Sequence, residues 1–200
     1  MKEIILFLLA VTLLSCSQNV FDSKEEVIEF VKNPDNGYYK SKNVNGVVFA
    51  LTYRPTDLLV SQELDDISNQ KTIDSLREKY DGYLYLSLSL SKNGQDILSV
   101  VPKDRNEFGA VVNQLAFGFG EKVHLSTAKK DTVALLNYIY PRMYGLNKSS
   151  TLLFVYPRDQ VVSNNEYLQF TIEDLGLQTG EISFKINIED IDNEPSINFL

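Results

Sequence analysis

Residues that commonly do chemistry are scarce in this chain. Its 200 residues include one histidine, His124, and one cysteine, Cys16. His124 alternates with Val123 and Leu125, a pattern that predicts a strand with the histidine on its polar face. A zinc or copper site needs more nitrogen or sulfur ligands than a single histidine provides. We therefore predict that the chain holds no metal ion and no cofactor.

The other polar motifs do not form a recognisable catalytic set. No Gly-x-Ser-x-Gly turn is present to expose a nucleophilic serine. Residues 117–122 are rich in glycine but lack the spacing of a phosphate-binding loop. Paired acids could supply glycosidase carboxylates, and four acids are spaced like a loose calcium site. The pairs are Asp65-Asp66, Glu173-Asp174 and Glu189-Asp190, and the four acids are Glu189, Asp190, Asp192 and Glu194. Because these acids stand at the ends of predicted elements, where solvated carboxylates are common, we predict that the chain is not an enzyme.

Aromatic residues concentrate in two short segments and suggest a binding surface. Residues 37–39 and 137–145 together contain five of the eleven tyrosines, and the second segment adds an arginine and a methionine. These residue types are enriched where one protein surface is buried against another. The predicted partner-binding residues are Tyr138, Tyr140, Arg142, Met143 and Tyr144. The alternative is that the tyrosines close the ends of a sheet, with buried rings and wet hydroxyls.

The first sixteen residues have the pattern of an export signal. Residues 4–14 are apolar except at Thr12, and Lys2 precedes them. Such a stretch is shorter than the roughly 20 residues of a membrane-spanning helix and fits a signal peptide. The sequence Leu13-Leu14-Ser15-Cys16 that follows resembles the lipobox of bacterial lipoproteins.

The lipobox resemblance implies a processing route and an anchor. In that family the cysteine thiol, here Cys16, receives a diacylglycerol, the signal is cut off before it, and the new amino terminus is acylated with a fatty acid such as palmitate. Ser17 resembles the residue that leads such proteins to the outer membrane. We therefore expect residues 1–15 to be a signal peptide, residues 16–22 to be the lipidated cysteine with a short tether, and residues 23–200 to be one domain. The expected location is the cell envelope, on the outer membrane and facing the periplasm.

The charge of the chain narrows the possible partners. A formal net charge of −8 argues against a nucleic-acid partner, because the phosphate contacts that dominate such binding need clustered Lys and Arg. It equally disfavours direct adhesion to anionic lipid headgroups. The membrane partner is therefore expected to be reached through the lipid on Cys16.

The remaining patterns predict an α+β domain. Helices are predicted over residues 23–32, 56–80 and 104–117, and the second has a break near Ser68-Asn69. The third helix is predicted to bury Phe108, Val111, Val112 and Leu115. Its Gly109 is predicted to make a close packing contact with the sheet. Strands are predicted over residues 37–54 as a hairpin turning at Asn45-Gly46, and over 83–91, 122–126, 131–140, 151–156, 167–173 and 181–189. In the strand over residues 83–91, Leu84, Leu86, Leu88 and Leu90 face the core and the intervening serines face solvent. We predict a single domain with a largely antiparallel β-sheet, three or four helices packed on one face, and a loosely docked tail from residue 190.

Two classes of function follow from these observations. The first is a membrane-held protein-interaction module, such as an accessory subunit of an envelope complex or an immunity protein. The second is a binder of a small apolar or glycan ligand beside the sheet. Arg54 and Arg158, which stand at the ends of predicted strands, are expected to pair with acids of neighbouring loops. Beyond the lipobox, the chain resembles small lipoproteins of Gram-negative envelopes, without a diagnostic motif.

Overall fold

The computed structural model describes residues 19–64, 69–141, 148–162 and 165–199. They form one mixed α+β domain in which both larger sheets are antiparallel, so the predicted fold class is confirmed. Within these ranges no helix combines the length and the apolar character needed to cross a membrane.

The larger sheet has six strands. They are β2 (Tyr39–Val44), β3 (Val47–Tyr53), β4 (Tyr83–Lys92), β5 (Gln95–Asp96), β8 (Asn137–Ile139) and β9 (Ser150–Pro157). The strand order is β2-β3-β4-β9-β8, and β5 pairs with the end of β4. Asn45 and Gly46 form the predicted turn between β2 and β3 with φ of 52° and 78°, which is the backbone conformation that a tight hairpin requires.

Strand β4 has the predicted register. Leu84, Leu86, Leu88 and Leu90 are at most 1% exposed. Ser87 and Ser89 on the other face are half-buried, less exposed than the alternation predicted, because β3 and β9 flank β4 on both sides. Strand β4 therefore has one face that is excluded from solvent, which we call the dry face, and one face that solvent partly reaches.

The smaller sheet covers the dry face of the larger one. Its strands are β6 (Val123–Thr127), β7 (Thr132–Val133), β10 (Tyr167–Ile172) and β11 (Ile182–Asn187), in the order β11-β10-β6-β7. Phe170 of β10 contacts Phe154 and Tyr156 of β9, with ring centroids 5.5 and 6.5 Å apart. The core thus lies between two sheets, which corrects the prediction that helices cover one face of a single sheet. The apolar sides of both sheets need partners, and each supplies the other.

Helices surround the sheets. They are α1 (Lys24–Lys32), α2 (Thr56–Glu63), α3 (Gln70–Asp81), α4 (Ile97–Val100), α5 (Arg105–Asn113), α6 (Asp159–Val162) and α7 (Ile188–Asp192). Ser23 caps α1 by accepting the backbone N–H of Glu26, and Asn69 caps α3 by accepting that of Thr72. Such caps satisfy amides that the first turn leaves free.

Helix α5 is less buried than its pattern predicted. It ends at Asn113 and continues as a wide π turn (Gln114–Gly118) and a 3-10 turn (Phe119–Lys122). Of the predicted apolar face only Leu115 is buried, whereas Phe108 is 38% exposed. A Cβ added to Gly109 would meet no atom within 4 Å, so the predicted close contact at Gly109 was wrong. The helix lies at the surface, and its wide turn rotates the later apolar residues away from the earlier ones.

The predicted central strand over residues 131–140 is two short strands instead. Strand β7 pairs with β6 in the smaller sheet, and β8 pairs with β9 in the larger sheet. The chain crosses from one sheet to the other between them. Val133, Leu135 and Tyr138 contact the shared core, whereas Leu136 and Ile139 are 52% and 49% exposed, so the second apolar face of the segment lies at the surface.

The two ends of the described chain pair with each other. Strand β1 (Val20–Phe21) runs parallel to β12 (Ser196–Ile197). The predicted tether through residue 22 is therefore shorter, because Val20 and Phe21 belong to the fold. The prediction of a loosely docked tail was also wrong: Ile191 and Ile197 are 1% and 5% exposed. Polar residues separate the apolar residues of this segment, so the sequence pattern does not show that Ile191 and Ile197 are buried.

Candidate functional site

Two of the three predicted partner-binding tyrosines, Tyr138 and Tyr140, lie at one edge of the larger sheet. Tyr138 of β8 packs on Phe154 with ring centroids 5.9 Å apart and nearly parallel planes. A Cβ on Gly120 would lie 2.9 Å from Cε1 of Tyr138, so this glycine makes room for the ring. Tyr140 is half-buried and packs against the core. Arg142, Met143 and Tyr144 lie outside the described residues, and the binding role of the segment stays a prediction.

An uncharged face of the larger sheet adjoins this edge. We call it the open face, and it consists of the residues that alternate with the buried ones along five strands. Its members are Tyr39, Ser41, Asn43, Val48, Ala50, Thr52, Tyr85, Ser87, Ser89, Ser91, Asn137, Ile139, Thr151, Leu153 and Val155. None of them is ionisable at neutral pH, although charged residues make up 23% of the chain. Most are half-buried, and Ile139 on the edge strand is 49% exposed.

Three tyrosines pack together at one end of the open face. The ring of Tyr85 lies edge-on to those of Tyr80 and Tyr83, at centroid distances of 5.9 and 6.3 Å. Tyr85 is buried by this arrangement, and burial raises its pKa to about 12. Tyr83 remains 41% exposed. The cluster fills the sheet end and leaves one aromatic ring at the surface.

A groove of about 350 Å³ separates α1 and α2 from the open face. Its sheet side carries Tyr39, Thr52 and Ser87, which are direct cross-strand neighbours on β2, β3 and β4. The helix side carries apolar and basic side chains. These are Ile28, Val31 and Lys32 of α1 and Leu58 of α2. The groove is therefore polar on one wall and largely apolar on the other.

Arg54 lines this groove and has no charged partner. Its backbone N–H donates to the carbonyl oxygen of Tyr85 at 2.9 Å. For its guanidinium, the described parts of the chain provide no ion pair, hydrogen-bond acceptor or aromatic ring. The side chain is half-buried, and this burial lowers the pKa of Arg54 below its usual value. Loss of hydration without a compensating partner is unfavourable for an ion.

Arg158, at the end of β9, has the paired environment that was predicted for both arginines. Its Nη1 donates to Glu194 at 2.7 Å and to Asp81 at 3.2 Å. Glu194 also accepts from the hydroxyl of Tyr53 at 2.8 Å and from the backbone N–H of Thr56 at 2.9 Å. Burial and then the charge of Glu194 hold the pKa of Tyr53 well above its usual value. This network fixes the segment after α7 against β9 and the start of α2.

Among the other candidate residues, Asp65 and Asp66 lie outside the described residues, and His124 and Glu173 belong to a surface cluster. His124 is exposed on β6, as predicted, and its Nε2 lies 2.8 Å from Glu173. Lys122 donates to the other oxygen of Glu173, and this contact is the main reason that the pKa of Glu173 is lowered. Of the acids considered for calcium, Asp190 accepts from Asn187 whereas Glu194 belongs to the Arg158 network. In the described part of the chain, no three potential metal ligands come together.

A second opening lies between α5 and the hairpin of β10 and β11. It has a volume of about 500 Å³ and an apolar lining that includes Ile97, Leu115, Phe119 and Leu177. Lys92, Lys103 and Glu107 stand among its polar residues. The opening could accommodate the apolar ligand considered from the sequence, and it shares no residue with the groove at Arg54.

Reasoning from the sequence did not single out Arg54 as a site residue. Tyr53-Arg54-Pro55 and Tyr156-Pro157-Arg158 are similar strand ends, and only the tertiary arrangement decides which arginine meets acids. A weak signal was present, because the positions beside Arg54 in the sheet carry hydroxyl groups and not carboxylates.

The chain matches no family model, no curated protein and no solved structure. Its possible function is therefore inferred from the geometry of the open face and of the groove at Arg54.

Proposed function

We propose that this chain is a lipid-anchored protein of the bacterial envelope whose domain binds another protein. The anchor is the lipid expected on Cys16, and the expected location is the outer membrane on its periplasmic side. The domain acts by binding and not by catalysis. The observation that carries the proposal is the uncharged open face of the larger sheet.

The open face suits a protein partner because of its composition and its extent. It spans five strands and offers hydroxyl and aliphatic groups, and none of its own side chains carries a charge that would have to be desolvated. The chain as a whole carries a net charge of −8. Charge depletion at the centre of a surface with charged surroundings is the composition typical of protein interfaces. The partner surface is therefore expected to be uncharged where it covers this face.

The predicted binding segment follows the open face in the sequence. Ile139 belongs to the open face at its edge, and Arg142, Met143 and Tyr144 come shortly after it in the chain. Tyrosine, arginine and methionine are residue types enriched in protein interfaces. The open face and this segment are proposed to contact one partner.

The anchor and the fold together favour a partner close to the membrane. Strand β1 begins at Val20, so residues 17–19 are the whole link between Cys16 and the domain. Three residues reach about 10 Å when fully extended. A domain held this closely stays next to the membrane surface, so a partner at that surface lies within its reach.

Site-specific photocrosslinking in the native host tests the proposal. A photoreactive amino acid at Leu153 on the open face should give a discrete adduct with one protein. The matched control is the same amino acid at Gln169, an exposed position on β10 of the other sheet. In the Leu153 background, Ile139→Lys and the double variant Arg142→Ala with Tyr144→Ala should each remove the adduct while the Tm stays within a few degrees. Identical adducts at Leu153 and Gln169, or no adduct at Leu153, would contradict the proposal.

A further inference from the structure

The groove beside α1 presents three chemically different groups within one small volume. Arg54 and Lys32 are cationic, whereas Tyr39, Thr52, Ser87 and Ser89 bear hydroxyl groups. Ile28, Val31 and Leu58 are aliphatic. The volume of about 350 Å³ lies at the small end of the range for sites that bind small molecules. A ligand that fits must therefore combine negative charge, hydroxyl groups and an apolar surface.

The guanidinium of Arg54 is best matched by a planar anion. Arg54 is half-buried at the end of β3, and no carboxylate in the described residues is within ion-pair distance of it. A guanidinium presents its N–H groups as a rigid fork that matches the two oxygens of a carboxylate. Binding a carboxylate would supply the hydrogen bonds that this side chain lacks in the free protein.

The hydroxyl groups decide between classes of carboxylate ligand. A fatty acid would place its alkyl chain against the hydroxyls of Thr52, Ser87 and Tyr39 and would deprive them of hydrogen bonds to water. Serine, threonine and tyrosine hydroxyls each donate and accept, which is also true of the hydroxyls of a sugar. The aliphatic wall at Ile28 and Leu58 offers a surface for the C–H groups of a pyranose ring. An acidic sugar matches all three parts of the groove, because it has a carboxylate for Arg54, hydroxyl groups for the sheet wall and C–H groups for the aliphatic wall.

We propose that this groove binds an acidic sugar of the uronic acid class. Its carboxylate pairs with Arg54, its hydroxyl groups bond to the hydroxyls of the sheet wall, and one face of its ring packs on Ile28 and Leu58. Lys32 adds positive charge at the rim. The groove shares Tyr39, Thr52, Ser87 and Ser89 with the open face, but sugar binding is tested on the purified chain without any partner, so the two proposals can fail separately.

Saturation-transfer NMR on the purified protein tests the proposal with three probes. D-Galacturonate carries all three features, D-galactose lacks the carboxylate, and acetate lacks the ring. We expect saturable binding of galacturonate, at least about tenfold weaker binding of galactose, and no competition from acetate at equal concentration. Trigalacturonate tests whether the natural ligand is a free sugar or part of a glycan chain. Tighter binding than that of the monomer indicates a glycan chain, and equal binding indicates a single sugar. Either result supports the site.

Two arginine variants make the test specific to the groove. Arg54→Gln should weaken galacturonate binding at least about tenfold and leave the Tm unchanged, because Arg54 has no partner to lose. Arg105→Gln, at an exposed position on α5, should bind as the parent does. Arg54→Lys, which keeps the charge and loses the fork, should fall between the two and serves as the test if Arg54→Gln does not fold. Galacturonate binding that is absent from the parent, equal to that of galactose, displaced by acetate, or unchanged in the folded Arg54 variants would overturn the proposal.

Discussion

Arg54 and Arg158 show how far the environment of one residue type can differ within one fold. Arg158 meets Glu194, which arrives from a segment 36 residues away in sequence. Arg54 ends a strand that borders the uncharged open face, where no carboxylate is available. Stability alone would favour an acid near Arg54, because an unpaired and partly buried ion is unfavourable. Its isolation is therefore more consistent with a binding role than with a structural one.

Asp57 is the opposite case, a buried carboxylate with every hydrogen bond made. It is 4% exposed and accepts from Nε and Nη2 of Arg77 at 2.8 and 2.7 Å. It also accepts from the backbone N–H of Ile197 at 2.7 Å. Through these bonds one side chain of α2 fixes α3 and strand β12 at once.

Asp57→Asn should destabilise the domain markedly. An amide keeps the shape but loses the charge, and it turns an N–H group toward other donors. Because Arg77 is partly solvent-exposed, the expected loss is about 2 to 3 kcal/mol, below the range for a fully buried pair. Denaturant unfolding measures it. The control is Asp192→Asn, an exposed acid, which should change stability by less than about 0.5 kcal/mol. Equal midpoints for the two variants would show that Asp57 is not an anchor.

At the scale of elements, the alternation of residues along the sequence predicted those features that depend only on a strand and the strands next to it. Leu84 to Leu90 alternate strictly with tyrosine and serine, so the buried face of β4 could be assigned from the sequence. The hairpin at Asn45-Gly46 is equally local, and the structure confirms it. These features need no knowledge of distant residues.

Features that depend on distant segments could not be predicted in the same way. The smaller sheet covers the larger one through contacts such as that of Phe154 with Phe170. The sequence around either residue does not predict that the two are in contact. The short strands β7 and β8 were predicted as one strand, because residues 134–136 between them are apolar and include no Gly or Pro that would mark a break. The groove at Arg54 is of this kind as well: its walls come from α1, α2 and three strands. Its residues carry no shared motif in sequence.

The assignment of the two faces of β4 leads to a matched pair of variants. Leu88 is fully buried, and Leu88→Ala should lower the free energy of unfolding by roughly 2 to 5 kcal/mol because it leaves a cavity. Ser87→Ala on the open face should cost less than about 1 kcal/mol. Ser87 is a cleaner control than Ser89, whose hydroxyl lies 2.9 Å from that of Thr151. Thermal or urea unfolding compares them, and similar midpoints would refute the assigned faces.

At the scale of the whole molecule, the first described residues are held against the last strand of the domain. Strand β1 pairs with β12, and the backbone N–H of Ser196 donates to the carbonyl oxygen of Asn19 at 2.9 Å. Asn19, Val20 and Phe21 thus contact a strand whose Ile197 is bound by Asp57 and Arg77. A lipid on Cys16 would orient the domain at the membrane and would not merely retain it there.

The central claim is that the domain is held at a membrane by lipid on Cys16. Metabolic labelling with an alkyne fatty acid, followed by membrane fractionation and intact-mass measurement, tests it in a host that processes lipoproteins. The parent should be labelled, should sediment with membranes, and should have lost residues 1–15. Cys16→Ala should carry no label, and it should be soluble or retain its signal. If Cys16→Ala sediments with membranes as the parent does and is cut to the same mature polypeptide, the anchor is not on Cys16 and the account is wrong.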